Sequence, residues 1–232
     1  MKYNKILLKL SGEALKNKSS DIIDFNYILM LCKKIQEYKE YGLSIGIVVG
    51  GGNIWRGRDN TYIDNSLSDK IGILSTTINS LVLKACFDSI GANSVLFNSS
   101  NIEKIVEKIP EEDKLSKIYN DNIIIFGGGT GDVGCSTDTA AALLAKKINS
   151  DIIVKLTNVD GIYDKDPKVY KDAKKYKKIS FDEVIDKKLN FMDLESIKLC
   201  SNNDIRILVM NIKEIDKLIN ELDEINNSSL VF

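Results

Sequence analysis

The sequence predicts an α/β protein in which a mostly parallel central sheet lies between two layers of helices, as a doubly wound three-layer sandwich. Short β-rich runs alternate with segments of helical periodicity along the chain. These runs are apolar throughout, which is typical of parallel strands covered on both faces. The chain has only two prolines and no Pro/Gly/Ser-rich linker. We therefore expect one domain over residues 1–232, with two lobes, 1–150 and 151–232, that share the sheet.

Six runs rich in β-branched and other apolar residues are predicted to form the strands. In chain order they are KILLKL (5–10), LSIGIVVG (43–50), NSVLF (93–97), NIIIF (122–126), DIIVKL (151–156) and IRILVMN (205–211). Five further segments have helical character. They are residues 28–38, 68–90, 138–148, 192–203 and 213–222. Gly42 and Gly91 follow the first two, and glycine commonly ends a helix.

The composition excludes several classes of function. The 32 basic and 33 acidic side chains nearly balance, so we expect neither a nucleic acid nor a membrane as partner. The chain has no histidine, and its four cysteines are far apart, which argues against a zinc site or a Ser/His pair. No signal segment or membrane-length apolar run is visible, so a cytoplasmic protein is expected. The lysine-rich run KDAKKYKK (171–178) is predicted to be a solvated loop.

Three glycine-containing loops follow predicted strands. They are KLSGEA (9–14), GGGNIWRGR (50–58) and GGGTGDVGCSTD (127–138). The carboxyl ends of parallel strands meet at one edge of a sheet, which is where such folds bind ligands. Glycine lets a phosphate oxygen approach the backbone, and amides turned inward form an anion site. A single loop of this kind is usually only a tight turn, but three at one edge favour phosphate binding.

Neither of the two common phosphate motifs explains these loops. A P-loop requires a Gly-Lys pair, and the chain has none. Gly129, Gly131 and Gly134 match the spacing of the dinucleotide fingerprint. That motif needs its third glycine inside the helix, whereas Gly134 lies four residues before Asp138, where the helix is predicted to begin. It also needs an acidic residue at the tip of the following strand, whereas Asp151 precedes its strand. The match is therefore interpreted as accidental.

Three charged residues near the loops are candidates for catalysis. Lys9 ends the first strand, Asp138 begins the helix after the third loop, and Lys155 lies within an apolar strand. A buried ammonium group is costly unless it is paired or faces a ligand, so Lys155 indicates a nearby anion. Asp138 has an equally good alternative interpretation as the N-cap of the helix that begins with TAAALLAKK.

Five sequence blocks complete the pattern: KILLKLSGEAL, VVGGGNIWRG, the GTG…STD segment, VKLTNVDGIYDKDP and LNFMDLESIKL. In this order they resemble the bacterial uridylate kinases (UMP kinases), a branch of the amino acid kinase family. The resemblance extends from about residue 3 to residue 232. The first and fourth blocks are shared with relatives that act on carboxylates or carbamate, whereas GGGNxxRG and MDL point to the nucleoside monophosphate branch.

The resemblance implies phosphoryl transfer from ATP to UMP, with Mg²⁺ on the ATP phosphates. It further implies a homohexamer, which GTP and UTP regulate in many members. Residues 1–150 would form the UMP side and residues 151–232 the side of the ATP nucleoside. Catalysis would rest on Lys9 and Lys155, oriented by Asp138. Because the acceptor is already a phosphate anion, no general base is needed.

The resemblance also assigns binding residues. Those implied to bind ATP are Lys9, Leu10, Ser11, Gly12, Gly52, Arg56, Thr157, Tyr163 and Asp166. Those implied to bind UMP are Gly51, Asp69, Thr130, Gly131, Asp132, Val133, Gly134, Cys135, Ser136 and Thr137. Asp69 has an alternative interpretation as a first-turn acid of a helix that begins near Ser68.

Two departures from the family pattern leave alternatives open. Where the family commonly has GTGNPxFTTD, this chain has GTGDVGCSTD, so an aspartate, Asp132, replaces an amide donor that would face the uracil carbonyls. A different small anionic acceptor, or a catalytically silent nucleotide-binding protein, are the competing hypotheses. The segment NKSSDIIDFN (17–26) is shorter than the usual stretch, which bears on control by GTP.

Overall fold

The computed structural model describes residues 2–16, 22–57 and 62–232. Within these residues a nine-stranded sheet forms the centre of the molecule, and a separate two-stranded hairpin lies outside it. The strands are β1 (Lys5–Leu10), β2 (Ser44–Val49), β3 (Ser94–Asn98), β4 (Glu107–Lys108), β5 (Ile123–Gly127), β6 (Ile152–Thr157), β7 (Ile162–Tyr163), β8 (Lys175–Tyr176), β9 (Lys178–Ile179), β10 (Arg206–Asn211) and β11 (Ser229–Val231).

The sheet is mostly parallel, with β1 near its middle. The strand order is β4-β3-β5-β2-β1-β6-β10-β11-β9, and the hairpin is β7-β8. All neighbouring pairs in the sheet are parallel except β10 and β11. The sheet therefore runs without interruption through both halves of the chain.

Helices cover both faces of the sheet. They are α1 (Phe25–Glu40), α2 (Asn65–Ser89), α3 (Glu112–Asp121), α4 (Thr137–Lys147), α5 (Phe181–Asp186), α6 (Leu194–Asn202) and α7 (Leu218–Asp223). One core cluster joins the sheet to α1, α2 and α7, and the other joins it to α3, α4, α5 and α6. The predicted three-layer α/β architecture is thus confirmed.

The side chains of β1 show how the sheet positions a charge. Ile6, Leu8 and Leu10 belong to the core under α1 and α2, whereas Leu7 belongs to the opposite core under α4. Because side chains alternate along a strand, Lys9 lies on the same face as Leu7. Lys9 is also the register partner of Lys155 on β6. Two lysines therefore lie side by side on the α4 face.

The six predicted strands are all present, but several elements were not predicted. Helix α3 buries only Leu115 and Tyr119, which with Ile118 have the spacing of one helix face, but this apolar pattern covers little more than one turn. Helix α5 has six residues and strand β11 has three, so neither is long enough to show a clear pattern in the sequence. The predicted helix over 213–222 is a 3₁₀ helix, Ile212–Lys217, followed by α7, with non-helical backbone at Glu214.

Of the described helices, α2 is the one that is long and apolar enough, by length and composition, to cross a membrane. Nearly half of its most apolar window, 44%, is nevertheless buried inside the protein. Leu83 and Phe87 have no exposed surface and pack in the core beneath α1. This helix is therefore an integral part of the sandwich.

Candidate active site

The three predicted glycine loops meet at the carboxyl edge of β1, β2, β5 and β6. The amide of Gly50 donates to the carbonyl of Leu10 at 2.9 Å, which joins the second loop to the first. A Cβ on Gly12 would lie 2.5 Å from the amide nitrogen of Gly52, so only glycine fits there. In the third loop Gly128, Gly129, Gly131 and Gly134 all have positive φ. The loops thus need glycine for close approach and for left-handed backbone.

Lys9, Asp138 and Lys155 form one ion-paired group at this edge. The ammonium of Lys9 lies 2.8 Å from Oδ1 of Asp138, and that of Lys155 lies 2.9 Å from Oδ2. Both lysines are 8% exposed. Lys155 also donates to the carbonyl of Phe191. One carboxylate therefore holds two ammonium groups side by side, which leaves the group with net positive charge.

Burial and neighbouring charge shift the pKa values of this group. Burial, and next the charge of Lys9, lower the pKa of Lys155 to about 8, against the opposing effect of Asp138. Burial raises the pKa of Asp138, but the charges of the two lysines outweigh it and hold the pKa below its usual value. A further anion beside the lysines would offset the repulsion between them.

The N-cap of α4 is Ser136, so the interpretation of Asp138 as the cap is wrong. The hydroxyl of Ser136 accepts from the amides of Asp138 and Thr139, both at 3.0 Å. Asp138 lies in the first turn, and both of its carboxylate oxygens contact lysines. Ser136 thus caps the helix, and Asp138, two residues later, pairs with the two lysines.

Asp193 supports this arrangement and was missed in the sequence. Its carboxylate accepts from the hydroxyl of Ser136 at 2.5 Å and from that of Thr139 at 3.2 Å. It also caps α6 by accepting from the amide of Ser196 at 2.8 Å. The predicted helical segment 192–203 already included Asp193, which the structure shows to be its N-cap, and nothing in the sequence places this residue against α4.

A cavity of about 220 Å³, here the glycine cavity, lies between the second and third loops and α2. Seven of the residues predicted for UMP line it: Gly51, Asp69, Thr130, Asp132, Cys135, Ser136 and Thr137. Gly52, which was predicted to contact ATP, also lines it, whereas Gly131, Val133 and Gly134 do not. Lining residues that were not predicted are Trp55, Gly57, Ser68, Gly72, Ile73, Thr76 and Gly129.

Asp69 joins α2 to the third loop. Its carboxylate accepts from the amide of Gly134 at 2.7 Å. Helix α2 begins at Asn65, capped by Asp64, so Asp69 lies in the second turn. The predicted start near Ser68 and the interpretation of Asp69 as a first-turn acid are therefore wrong. The first turn of α2 is mainly polar and therefore carries no apolar signal in the sequence.

Trp55 and Ser68 close one side of the glycine cavity. The indole nitrogen of Trp55 donates to the Ser68 hydroxyl at 3.0 Å. A Cβ on Gly57 would lie 2.7 Å from the same oxygen. The polar lining of this cavity consists of hydroxyls, backbone and the carboxylates of Asp69 and Asp132.

A larger cavity of about 780 Å³, here the lysine cavity, lies on the other side of the ion-paired group. The predicted residues Lys9, Ser11, Lys155, Thr157, Tyr163 and Asp166 line it. Six lysines and three carboxylates contribute to its lining, so cationic side chains predominate in its wall. The Ser11 hydroxyl is buried and has no hydrogen-bond partner among the described residues, which leaves it available to a ligand.

Four residues predicted to bind ATP do not line the lysine cavity. The side chain of Leu10 is fully buried in the core, so only its backbone is at the site. Gly52 lines the glycine cavity instead, and Gly12 packs against the backbone of Gly50 and Gly52. Arg56 pairs with Glu13 at 2.6 Å and donates from Nε to the carbonyl of Gly52 at 3.1 Å. Its guanidinium thus faces Glu13, which itself lines the lysine cavity.

Comparison with known proteins places this geometry in a family. The sequence model of the amino acid kinase family matches residues 4–211. A protein named uridylate kinase from Fervidobacterium nodosum is 41% identical over 231 residues, covering 99% of this chain and 98% of the relative. Another of that name, from Mycoplasmopsis pulmonis, is 40% identical, covering 99% and 97%.

Solved structures give the same result. The crystal structure of UMP kinase from Ureaplasma parvum superposes with a TM-score of 0.91 at 33% identity, covering 100% of this chain and 99% of that one. UMP kinase from Bacillus anthracis also gives 0.91, at 29% identity, covering 99% and 96%. The central sheet, the ion-paired group and both cavities thus occur in a chain that belongs to the amino acid kinase family.

Proposed function

We propose that this protein is a UMP kinase, which transfers the γ-phosphoryl group of ATP to UMP and gives ADP and UDP for pyrimidine nucleotide synthesis. The observation that most strongly supports this proposal is the buried group of Lys9, Asp138 and Lys155 between two cavities. Relatives about 40% identical over nearly the whole chain bear the name uridylate kinase. Two adjacent nucleotide sites with cationic groups between them are what phosphoryl transfer requires.

The lysine cavity is the proposed site of ATP. Its six lysines favour a polyanion, and the free hydroxyl of Ser11 can donate to a phosphate oxygen. Thr157, Tyr163 and Asp166 line the same cavity and are proposed to bind the nucleoside. In this proposal residues 151–232 supply most of the ATP site, to which Lys9 and Ser11 also contribute. The remaining site residues within 1–150 form the UMP site.

The glycine cavity is the proposed site of UMP. Its residues come from the second loop, the third loop and α2, all within residues 51–137. The amides of Gly128, Gly131 and Gly134 already donate within the protein. The amide of Gly129, also at positive φ, has no partner among the described residues and can donate to phosphate. The acceptor phosphate would then point from this cavity towards Lys9 and Lys155.

Catalysis by this arrangement consists of alignment and charge stabilisation. The UMP phosphate has a second pKa of about 6 and is an anion near neutral pH, so the absence of histidine costs nothing. Negative charge spreads over the oxygens of the transferred group in the transition state. Lys9 and Lys155 are held in place before the substrate binds, and such preorganised donors stabilise that charge.

Mg²⁺ is proposed to bind with ATP. No cluster of three metal-binding side chains occurs in the part of the chain that the structure describes, and both oxygens of Asp138 already contact lysines. Magnesium in kinase sites takes much of its coordination from substrate phosphates and water. This fits a metal held mainly by the ATP phosphates, where it would neutralise part of their charge.

Self-association as a hexamer remains part of the proposal, and α2 supplies structural support for an interface between copies. An exposed or half-exposed apolar stripe runs along it with alternating spacings of four and three residues: Leu67, Ile71, Leu74, Ile78, Leu81 and Ala85. Leu67 and Leu74 are 53% and 55% exposed. This spacing is the one by which helices pair as coiled coils, so a second α2 is the proposed occupant.

Effectors and location are also proposed. Regulation by GTP or UTP rests on resemblance, and part of the segment 17–26 that bears on it lies outside the described residues. A cytoplasmic location and the absence of nucleic acid and membrane partners remain expectations from the balanced composition.

An acceptor panel tests the proposed function. With Mg-ATP, the purified chain should phosphorylate UMP with a higher kcat/KM than CMP, AMP or acetylglutamate, measured by ADP release in a coupled assay. A preference for another acceptor would assign the protein to the first competing hypothesis. No turnover with any acceptor, despite ATP binding, would support a silent nucleotide-binding protein.

A further inference from the structure

The β7-β8 hairpin forms one wall of the lysine cavity but cannot hold its own shape. Each of its strands has two residues, and isolated two-stranded hairpins are marginal even when longer. Tyr163 on β7 lines the cavity, as do Asp164, Lys165 and Asp166 directly after it. The position of this wall must therefore be set by contacts from outside the hairpin.

Lys175 on β8 supplies such contacts. Its ammonium lies 2.8 Å from Oδ2 of Asp160 and donates to the carbonyl of Asn227 at 2.5 Å. Asp160 follows the end of β6, and Asn227 precedes β11, so one side chain connects the hairpin to two parts of the central sheet region. The side chain is 24% exposed. The prediction of a solvated loop over 171–178 is therefore wrong for Lys175.

Asp160 connects Lys175 to Tyr163, which lines the cavity. The Tyr163 hydroxyl donates to Oδ1 of Asp160 at 2.8 Å, so the carboxylate holds Tyr163 with one oxygen and Lys175 with the other. Lys175 and Tyr163 are also register partners in the hairpin. Burial raises the pKa of Asp160, but hydrogen bonds from Lys175 and Tyr163 outweigh it and lower the pKa overall.

Gly161 and Ser229 show that the surroundings are built around Lys175. A Cβ at Gly161 would collide with Cε of Lys175 and with the Ser229 hydroxyl, so the lysine stem passes directly over the glycine backbone. The Ser229 hydroxyl accepts from the amide of Ile162 at 2.9 Å and donates to the carbonyl of Tyr176 at 2.5 Å. Both strands of the hairpin are thus fastened to β11 beside the lysine.

We propose that Lys175 is a positioning residue for the nucleotide donor, which acts through Asp160 to set the Tyr163 wall of the lysine cavity. It does not line the cavity, so it would not touch the nucleotide. The proposal rests on the assignment of ATP to this cavity. Loss of Lys175 should weaken the binding of ATP and not that of UMP, because the acceptor cavity and the ion-paired group lie on other elements.

The test replaces Lys175 with methionine, which keeps the stem and removes the charge. We expect the KM for ATP to rise about fivefold, which is near the upper end for a partly exposed ion pair. The kcat and the KM for UMP should stay within about twofold, because neither depends on this wall. Lys175→Arg should restore most of the ATP affinity. Lys171→Met is the matched control, since Lys171 is an exposed lysine of the same run.

Direct ATP binding by calorimetry separates this inference from the proposed function. If the wild-type chain binds ATP but does not phosphorylate UMP, the proposed function fails, and a weaker Kd of Lys175→Met for ATP still supports the positioning role. An unchanged KM and Kd for ATP would overturn it, as would equal losses for ATP and UMP. If Lys175→Met does not fold by circular dichroism, Asp160→Asn decides the question by the same criteria.

Discussion

The two cavities flank one ion-paired group but differ in what lines them. The lysine cavity has six lysines in its wall, whereas the charged side chains of the described glycine cavity are Asp69 and Asp132. The glycine cavity offers backbone amides and hydroxyls instead. Cationic side chains therefore belong to the donor side, where ATP brings more negative charge, and the acceptor side is shaped mainly by the close approach of loops. Mutations on the two sides should have different kinetic signatures.

The largest expected effect comes from removing a cation between the cavities. Lys9→Met should lower kcat about 100-fold or more, because a preorganised donor to the transferred group is lost. Lys155 still pairs with Asp138 in this variant, so the fold should persist. Initial-rate kinetics with both substrates measure the change.

Lys146→Met is the control for this experiment, since Lys146 is an exposed lysine in the last turn of α4. It should leave kcat unchanged. A Lys9→Met enzyme that is folded by circular dichroism and retains wild-type kcat would show that the lysine is only structural.

A pH profile should separate the free protein from its nucleotide complex. Because the pKa of Lys155 is lowered to about 8, its ammonium loses the proton, and its positive charge, above that pH. The kcat/KM for ATP should then fall about tenfold per pH unit, whereas bound phosphate raises the pKa and keeps kcat level to higher pH.

Stopped assays across the alkaline range measure both parameters. Lys155→Arg is the control, because a guanidinium does not titrate there, and its residual activity should lack the alkaline decline. Wild-type kcat/KM that stays level well above pH 8 would contradict the role given to Lys155.

The smallest effect is expected in the glycine cavity. Asp132→Asn removes a negative charge and restores an amide donor, so the KM for UMP should fall about threefold while the KM for ATP stays constant. Asp166→Asn, on the lysine cavity, is the matched variant and should alter ATP rather than UMP parameters. Equal effects of both variants on both substrates would remove the distinction between the two cavities.

The central sheet and the buried lysine Lys155 could both be predicted from the sequence, and for the same reason. Buried parallel strands are continuously apolar, and this pattern made Lys155 conspicuous within DIIVKL. The pairing of Lys9 with Lys155 then follows from their register in neighbouring strands. In helix α3, by contrast, the apolar spacing covers little more than one turn, which is too short to stand out in the sequence.

Other parts of the site depend on contacts between distant segments, which no local pattern encodes. Asp193 binds Ser136 across 57 residues of sequence, and Lys175 reaches Asn227 across 52. Trp55 and Ser68 meet in the glycine cavity although one lies in the second loop and the other on α2. Within the charge run over 171–178, nothing in the sequence distinguishes Lys175, which contacts Asp160 and Asn227, from the lysines around it.

The most direct test is a crystal structure with a nonhydrolysable ATP analogue, Mg²⁺ and UMP. We expect Nζ of Lys9 and Nζ of Lys155 to lie within about 3.2 Å of phosphate oxygens, with the ATP analogue in the lysine cavity and UMP in the glycine cavity. Both ammonium groups remaining turned away from every phosphate oxygen, with no direct hydrogen bond, would contradict it.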